Sequence, residues 1–208
     1  MRRTWLAVEA TAIFVALPLA VGFGSWTLPK IPTLLVVSLG CALLLRHDDG
    51  WDRGELAWSR WTRAELVTVL LRFGALAVPI LGLAYALVGA GGLFAFARRA
   101  PWIYLAVLIL YPFLSAFPQE VVWRSFLFHR YRPLFGDGVA RVAASALLFA
   151  FLHVVYGNAV APALSLVGGW MFARTFARTR SLWLVTIEHA LYGLWLFTVG
   201  LGRFFYQP

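Results

Sequence analysis

The chain has 208 residues, of which 62% are hydrophobic and 13% are charged, and its net charge is +9. A soluble domain carries about 25% charged residues, so this composition excludes an ordinary soluble protein and predicts a single integral membrane domain over residues 1–208. The positive charge does not indicate nucleic-acid binding, because the basic residues are spread over short loops, where they suit an anionic lipid surface.

The predicted elements are membrane-spanning helices, each of which needs about 20 apolar residues within a range of about 17–25. The first apolar stretch follows Met1–Arg3 and is too long for the apolar region of a signal peptide, so we expect it to remain as a span. The sequence predicts an all-α polytopic protein with about seven membrane helices around a polar intramembrane cavity. The predicted spans are Trp5–Phe23, Ile31–Leu45, Leu66–Leu87, Trp102–Phe117 continuing beyond Pro118, Val139–Tyr156, Ala159–Ala177 and Leu182–Val199.

The long polar segment Asp48–Glu65 alternates charged residues with tryptophans. This pattern suits a helix lying on the membrane surface, and a solvated loop is the alternative. Gly89–Gly92 predicts a turn. Tryptophans at the ends of apolar runs are typical of the interfacial belt; they are Trp5, Trp26, Trp102 and Trp183.

Arginine and lysine residues predict the orientation of the chain, because cytoplasmic loops carry an excess of them. With the N-terminus in the cytoplasm, most basic residues fall on the inner side of the membrane. Only four then fall in outer loops, and these are Lys30, Arg98, Arg99 and Arg203. The bias therefore favours a cytoplasmic N-terminus.

Ionisable residues within the apolar segments form the candidate functional site. Glu120 and Arg124 lie four residues apart, so they share a helix face and can pair. His153 and His189 lie in two later apolar segments. Charges are costly inside a membrane and usually mark a functional site there.

The spacing of the turns predicts that these residues come together. Glu120 precedes Gly136 by sixteen residues, and His153 follows it by seventeen. At 1.5 Å per residue both lie about 25 Å along their helices from the turn, which places them at similar depth. His189 lies about 13 Å from the basic turn at residues 178–181. Three helices can therefore bring Glu120, His153 and His189 to one pocket.

Structural roles are the alternative for each residue. A lone histidine in a membrane often forms a hydrogen bond between two helices, and Glu120–Arg124 can be a purely structural ion pair. Glu9 and Arg72 can pair or extend to the interface. The other polar residues considered are His129, which we expect at the interface, and Glu188, which points about 100° away from His189.

Three short motifs resemble, in order and spacing, those of the CAAX-protease and bacteriocin-processing family of intramembrane endopeptidases. They are Glu120-Val-Val-Trp-Arg124, Phe149-Ala-Phe-Leu-His153 and His189-Ala-Leu-Tyr-Gly193. The resemblance covers about residues 101–197. It implies that His153 activates water, that Glu120 holds Arg124, and that His189 stabilises the oxyanion.

Two positions depart from the family pattern. The family's first glutamate, which acts as the base, falls on Gln119, and its final asparagine or aspartate falls on Gly193. An amide cannot accept a proton at neutral pH. Glu120 is then the only carboxylate of the motif able to serve as base, and its pKa is a balance between burial and Arg124. Tyr192 or Asn158 can replace the lost donor.

A metal is the alternative route to an activated water. One carboxylate and two histidines are the ligands of several hydrolytic zinc sites, so Glu120, His153 and His189 are the candidate ligands. The resemblance implies either no cofactor or a divalent metal such as zinc.

The residues and the resemblance together predict an endopeptidase that cleaves a peptide bond of a membrane-associated protein or peptide. The resemblance also implies a bacterial cytoplasmic membrane, with the lipid bilayer as the other partner. Two alternatives remain open. One is a catalytically silent relative that acts as a membrane binding or immunity protein, which Gln119 and Gly193 favour. The other is a small transporter or channel, although the shared depth of Glu120 and His153 argues against an ion path.

Overall fold

The computed structural model describes residues 2–24 and 29–206, and the predicted belt residue Trp26 lies outside this part of the chain. The described residues form helices and turns, with no strand among them, so the all-α prediction is confirmed. Seven long helices are present in these ranges. They are α1 (Arg3–Phe23), α2 (Lys30–Arg46), α3 (Arg63–Gly92), α4 (Pro101–Arg130), α5 (Val139–Leu152), α6 (Val160–Thr179) and α7 (Leu182–Val199).

Five segments of the described chain are long and apolar enough to cross a membrane. They contain α1, α3, α4, α5 and α7, so the predicted count of seven spans is not confirmed. The helix α2 has only 17 residues. The helix α6 has 20 residues, but Gly168, Gly169 and Arg174 reduce its hydropathy.

Side-chain caps fix where α3 and α7 begin. At the start of α3, Thr62 and Glu65 form a capping box in which each side chain accepts a hydrogen bond from the other's backbone. Ser181 caps α7 by accepting from the backbone of Leu184. At the other end of α3 the backbone of Gly89 has a φ of 66°, which marks the predicted turn.

The segment between α2 and α3 is not the single surface helix that its composition suggests. It contains two short 3₁₀ turns, Arg53–Leu56 and Trp58–Arg60. The Asp48 and Asp52 side chains accept from backbone N–H groups two residues later, and such local bonds compete with a continuous helix. Glu55 is fully buried and anchors the segment to the bundle through Ser125 and Arg180, and it also accepts from Trp51 within the segment.

The helix α4 lies at the centre of the protein, and each of residues 121–128 is buried. Its core neighbours include Phe14 of α1, Phe149 of α5 and Phe172 of α6. Wider π-type turns replace regular helix at Pro112–Ala116 and Val121–Phe126, on either side of Gln119 and Glu120. Such turns occur frequently at functional sites because they redirect side chains.

Candidate active site

Glu120 is the centre of a buried charged cluster. Its Oε2 atom lies 3.0 Å from Arg124 Nε, and its Oε1 atom lies 2.7 Å from His189 Nδ1. Glu120 and Arg124 are both fully buried. The Arg124 guanidinium also lies over the Phe149 ring, with 4.7 Å between its Cζ atom and the ring centroid. An ionised carboxylate only accepts hydrogen bonds, so it requires the proton of neutral His189 to lie on Nδ1.

His153 has its ring fixed in a similar way by a different acceptor. Its Nδ1 atom lies 2.8 Å from the carbonyl oxygen of Phe149, one turn earlier. A carbonyl oxygen accepts, so neutral His153 carries its proton on Nδ1 and has a lone pair on Nε2. The Phe149 ring packs against both histidines, with centroid distances of 4.8 Å to His153 and 5.5 Å to His189.

A cavity of about 1710 Å³ separates the helices beside this cluster. Its polar lining near the site includes Tyr111, Ser115, Gln119, His153, His189 and Tyr192. Much of the remaining wall is apolar and belongs to α3, α4 and α6, while cationic residues border it elsewhere, namely Lys30, Arg99 and Arg203.

Gln119, rather than Glu120, borders the cavity. The sequence predicts Glu120 there, but adjacent residues of a helix point about 100° apart, and Glu120 faces Arg124 and His189. The Gln119 amide nitrogen donates to Ser115 Oγ at 2.9 Å, and its Oε1 atom is buried without a hydrogen-bond partner among the described residues. Gln119 therefore borders the same cavity as His153, and its amide oxygen is enclosed with no partner in the described part of the chain.

Tyr111 brings a hydroxyl to the position next to Gly193. Its oxygen lies 3.1 Å from His189 Nε2. A Cβ atom at residue 193 would overlap the Tyr111 hydroxyl and ring, so glycine is what allows this ring to approach α7. One face of His189 stacks on Phe172, with 4.8 Å between centroids and 18° between planes. The imidazole is thus held by this stacked ring and at both nitrogens.

Residues 100–195 match a protein-family model described as type II CAAX prenyl endopeptidase Rce1-like. This region is Rce1-like. The match covers just under half of the chain and contains all three motifs, so the resemblance to the CAAX-protease family is confirmed. Comparisons with curated proteins and with solved structures gave no match. The family is one of proteases, and the helices are those of an integral membrane protein.

The two extra donors predicted for the Rce1-like region differ in their placement. Tyr192 borders the cavity and packs edge-on against Phe73, with 5.3 Å between centroids. Asn158 instead binds backbone groups, donating to Tyr156 and Phe204 and accepting from Ala161. Asn158 therefore closes the turn before α6, and its side chain is already engaged there.

The other ionisable residues near the Rce1-like site form pairs of their own. Glu188 binds Arg72 of α3, on a different side of α7 from Glu120. Glu9 of α1 binds Arg130 through both carboxylate oxygens, each at 2.7 Å. His129 lies 2.9 Å from Asp48. These pairs join helices and loops rather than border the cavity.

Two loop carboxylates are also held by cations. A hydrogen bond from His129 and one from the Gly50 backbone lower the pKa of Asp48. Hydrogen bonds and charge from Arg132 and Arg141 lower the pKa of Asp137 at the turn before α5. Both aspartates therefore stay ionised around neutral pH and hold loops rather than perform chemistry.

The predicted metal ligands do not have the arrangement of a metal site. No cluster of three or more histidine, cysteine or acidic side chains among the described residues is suited to a metal ion. Arg124 and His189 already contact the two oxygens of Glu120, and the remaining nitrogen of His189 faces the Tyr111 hydroxyl. We therefore derive no step through a metal.

Tyr111 and Ser115 are the site residues that the motif comparison misses. Together with Gln119 they recur every four residues along α4, at 111, 115 and 119, and residues at this spacing share one helix face. A stripe of polar residues along an otherwise apolar helix was the signal that could have found them.

Proposed function

We propose that the protein is an intramembrane endopeptidase that hydrolyses a peptide bond of a membrane-associated protein or peptide. The observation that carries the proposal is that two residues with an unused acceptor border one cavity: His153, whose Nε2 is left free by the bond from Nδ1 to Phe149, and Gln119, whose enclosed Oε1 has no hydrogen-bond partner among the described residues. A water molecule between them can donate one hydrogen to each. A lone pair of the water oxygen is then directed at the carbonyl carbon of the substrate.

His153 is the general base in this scheme. It takes a proton from the water as the water oxygen attacks the carbonyl carbon, and it later gives that proton to the departing amine. Gln119 does not accept the proton but orients the water, which removes the need for a carboxylate at this position. The developing oxyanion forms on the side of the cavity where His189 and Tyr111 lie.

Glu120 acts through its neighbours in this proposal. Because it is fully buried and does not border the cavity, it holds His189 in one tautomer and neutralises Arg124. A water-activating role for Glu120 itself is the competing prediction from the sequence. That role requires the Glu120 carboxylate to break its contact with Arg124 or with His189.

The walls of the cavity support a substrate with a long apolar portion. They are mainly apolar over a volume large enough for a peptide segment, and the matched family is named for prenylated substrates. We also propose that the protein lies in the bacterial cytoplasmic membrane with its N-terminus inside. Accessibility of an N-terminal tag to added protease in oriented vesicles tests that orientation, since cleavage from outside contradicts it.

The direct test is proteolysis by the purified full-length protein in lipid vesicles. Quenched fluorescent membrane peptides, with and without a prenylated cysteine, serve as substrates, and each reaction is repeated with a chelator. We expect cleavage at an internal peptide bond that survives the chelator. Cleavage abolished by the chelator and restored by zinc would contradict the metal-free scheme.

The alternative is a catalytically silent relative, which the amide at Gln119 favours. We expect Gln119→Glu to raise the cleavage rate, because it places a carboxylate beside His153 at the position that the family uses for its base. The matched control is Ser115→Ala, which removes the partner of Gln119 without adding a charge.

Three outcomes of the Gln119→Glu measurement differ in meaning. A rise in rate supports water activation at the 119 position. A fall in rate, or an optimum shifted to higher pH, supports Glu120 as the base, since a second carboxylate nearby raises the pKa of one of the two. No cleavage by either protein, together with retained binding of the peptides, supports the silent relative.

A further inference from the structure

We propose that the Tyr111 hydroxyl is the hydrogen-bond donor that stabilises the oxyanion in this protein. The proposal rests on the proposed function and identifies a catalytic residue that lies outside the three motifs. It follows from a chain of contacts that runs from Arg124 through Glu120 and His189 to Tyr111.

The direction of the hydrogen bonds decides which group faces the substrate. His189 Nδ1 donates to Glu120, so its Nε2 atom is the only other polar atom of the ring, and that atom faces Tyr111 at 3.1 Å. When neutral, His189 accepts from the Tyr111 hydroxyl. When protonated, it donates to the tyrosine oxygen instead, and the tyrosine proton is then free for another acceptor.

The cavity supplies the place for that acceptor. Tyr111 borders it together with Gln119 and His153, the two residues proposed to hold the water. In the protonated state, Arg124, Glu120 and His189 carry one net positive charge. In that state a cationic cluster lies behind the hydroxyl donor, and this arrangement favours negative charge developing on a substrate oxygen in a site of low dielectric.

The packing of Tyr111 depends on Gly193. Any side chain at 193 would overlap the phenol, whereas glycine lets the ring lie against α7 and pack on Phe197, with 5.7 Å between centroids. The chain thus has a tyrosine from α4 in the space that a side chain at 193 would fill. A side chain at position 193 and the tyrosine at position 111 cannot both occupy this space, so substitutions at the two positions test the proposal.

The first measurement compares Tyr111→Phe with the natural protein on the peptide that the natural protein cleaves fastest. Removing one oxyanion donor lowers kcat by about 10²–10³-fold, and we expect KM to change by less than about twofold. The matched control is Tyr104→Phe. Tyr104 also lies on α4 and bonds to α7, through Thr198 at 2.8 Å, but it does not border the cavity. We expect this control to keep the natural kcat.

The second measurement is a double-mutant cycle at positions 111 and 193. Gly193→Asn alone should lose activity because its side chain overlaps Tyr111. In Tyr111→Ala/Gly193→Asn the space is free and the amide can donate to the same oxyanion. The double variant should therefore be more active than Tyr111→Ala alone and than Gly193→Asn alone.

The outcomes separate this inference from the proposed function. An unchanged kcat in Tyr111→Phe, with cleavage by the natural protein, overturns the role of Tyr111 and leaves the protease proposal standing. Equal losses in Tyr104→Phe and Tyr111→Phe also overturn it, because they indicate a loss of helix packing. Absence of cleavage by both the natural protein and Gln119→Glu overturns the proposed function and the oxyanion role together.

Discussion

Replacing His153 by phenylalanine should lower kcat by about 10²–10⁴-fold, the usual contribution of a positioned general base. Phenylalanine keeps an aromatic ring against Phe149, Tyr156 and Phe205, whose centroids lie 4.8, 5.9 and 5.6 Å from that of His153. The variant therefore removes the two nitrogens with little change in packing. Cleavage of the quenched peptide, measured beside thermal unfolding in detergent, gives both quantities.

The matched control for His153 is His129→Gln. It removes another histidine, at the end of α4, whose partner is the exposed Asp48. Exposed pairs of this kind contribute about 0–1 kcal/mol, so stability should change little and kcat should stay at the natural value. A fully active His153→Phe protein would contradict the assignment of His153 as the general base and would favour Glu120 as the residue that activates water.

Replacing Glu120 by glutamine should abolish cleavage and also destabilise the fold. Removing one partner of a buried ion pair costs about 3–5 kcal/mol, because the other charge is left buried without compensation. Arg124 would be that charge, since its side chain is fully buried. His189 would lose its anionic acceptor in the same step. Thermal unfolding and peptide cleavage of the same preparation measure the two effects.

A double variant separates the two roles of Glu120. In Glu120→Gln/Arg124→Met no buried charge is stranded, and replacing a buried ion pair by groups of similar volume is often neutral for stability. We expect the free energy of unfolding to recover, while cleavage stays lost because His189 no longer has an anionic acceptor at Nδ1. Recovery of cleavage together with stability would show that Glu120 is only a structural partner of Arg124. It would also move the search for a carboxylate to Glu188, which now binds Arg72.

The sequence by itself determined the class of the protein. Hydropathy gave an all-α membrane protein, and three spaced motifs gave the family resemblance that the match over residues 100–195 confirms. The pairing of Glu120 with Arg124 was also predictable, because it depends only on the period of a helix. The number of spans was not, since α2 and α6 lie at the limits of length and hydropathy.

Only the tertiary structure decided which polar atoms meet in the cavity. Gln119 and Glu120 are neighbours in sequence, yet Gln119 borders the cavity and Glu120 is enclosed. The packing of α4 against α7 decides this, because it sets the rotation of α4 about its own axis. Tyr111 reaches His189 only because Gly193 leaves room on the facing helix. The period of the sequence describes a single helix. How far each helix is rotated and how closely two helices approach depend on the volumes of side chains from residues that are far apart in the chain.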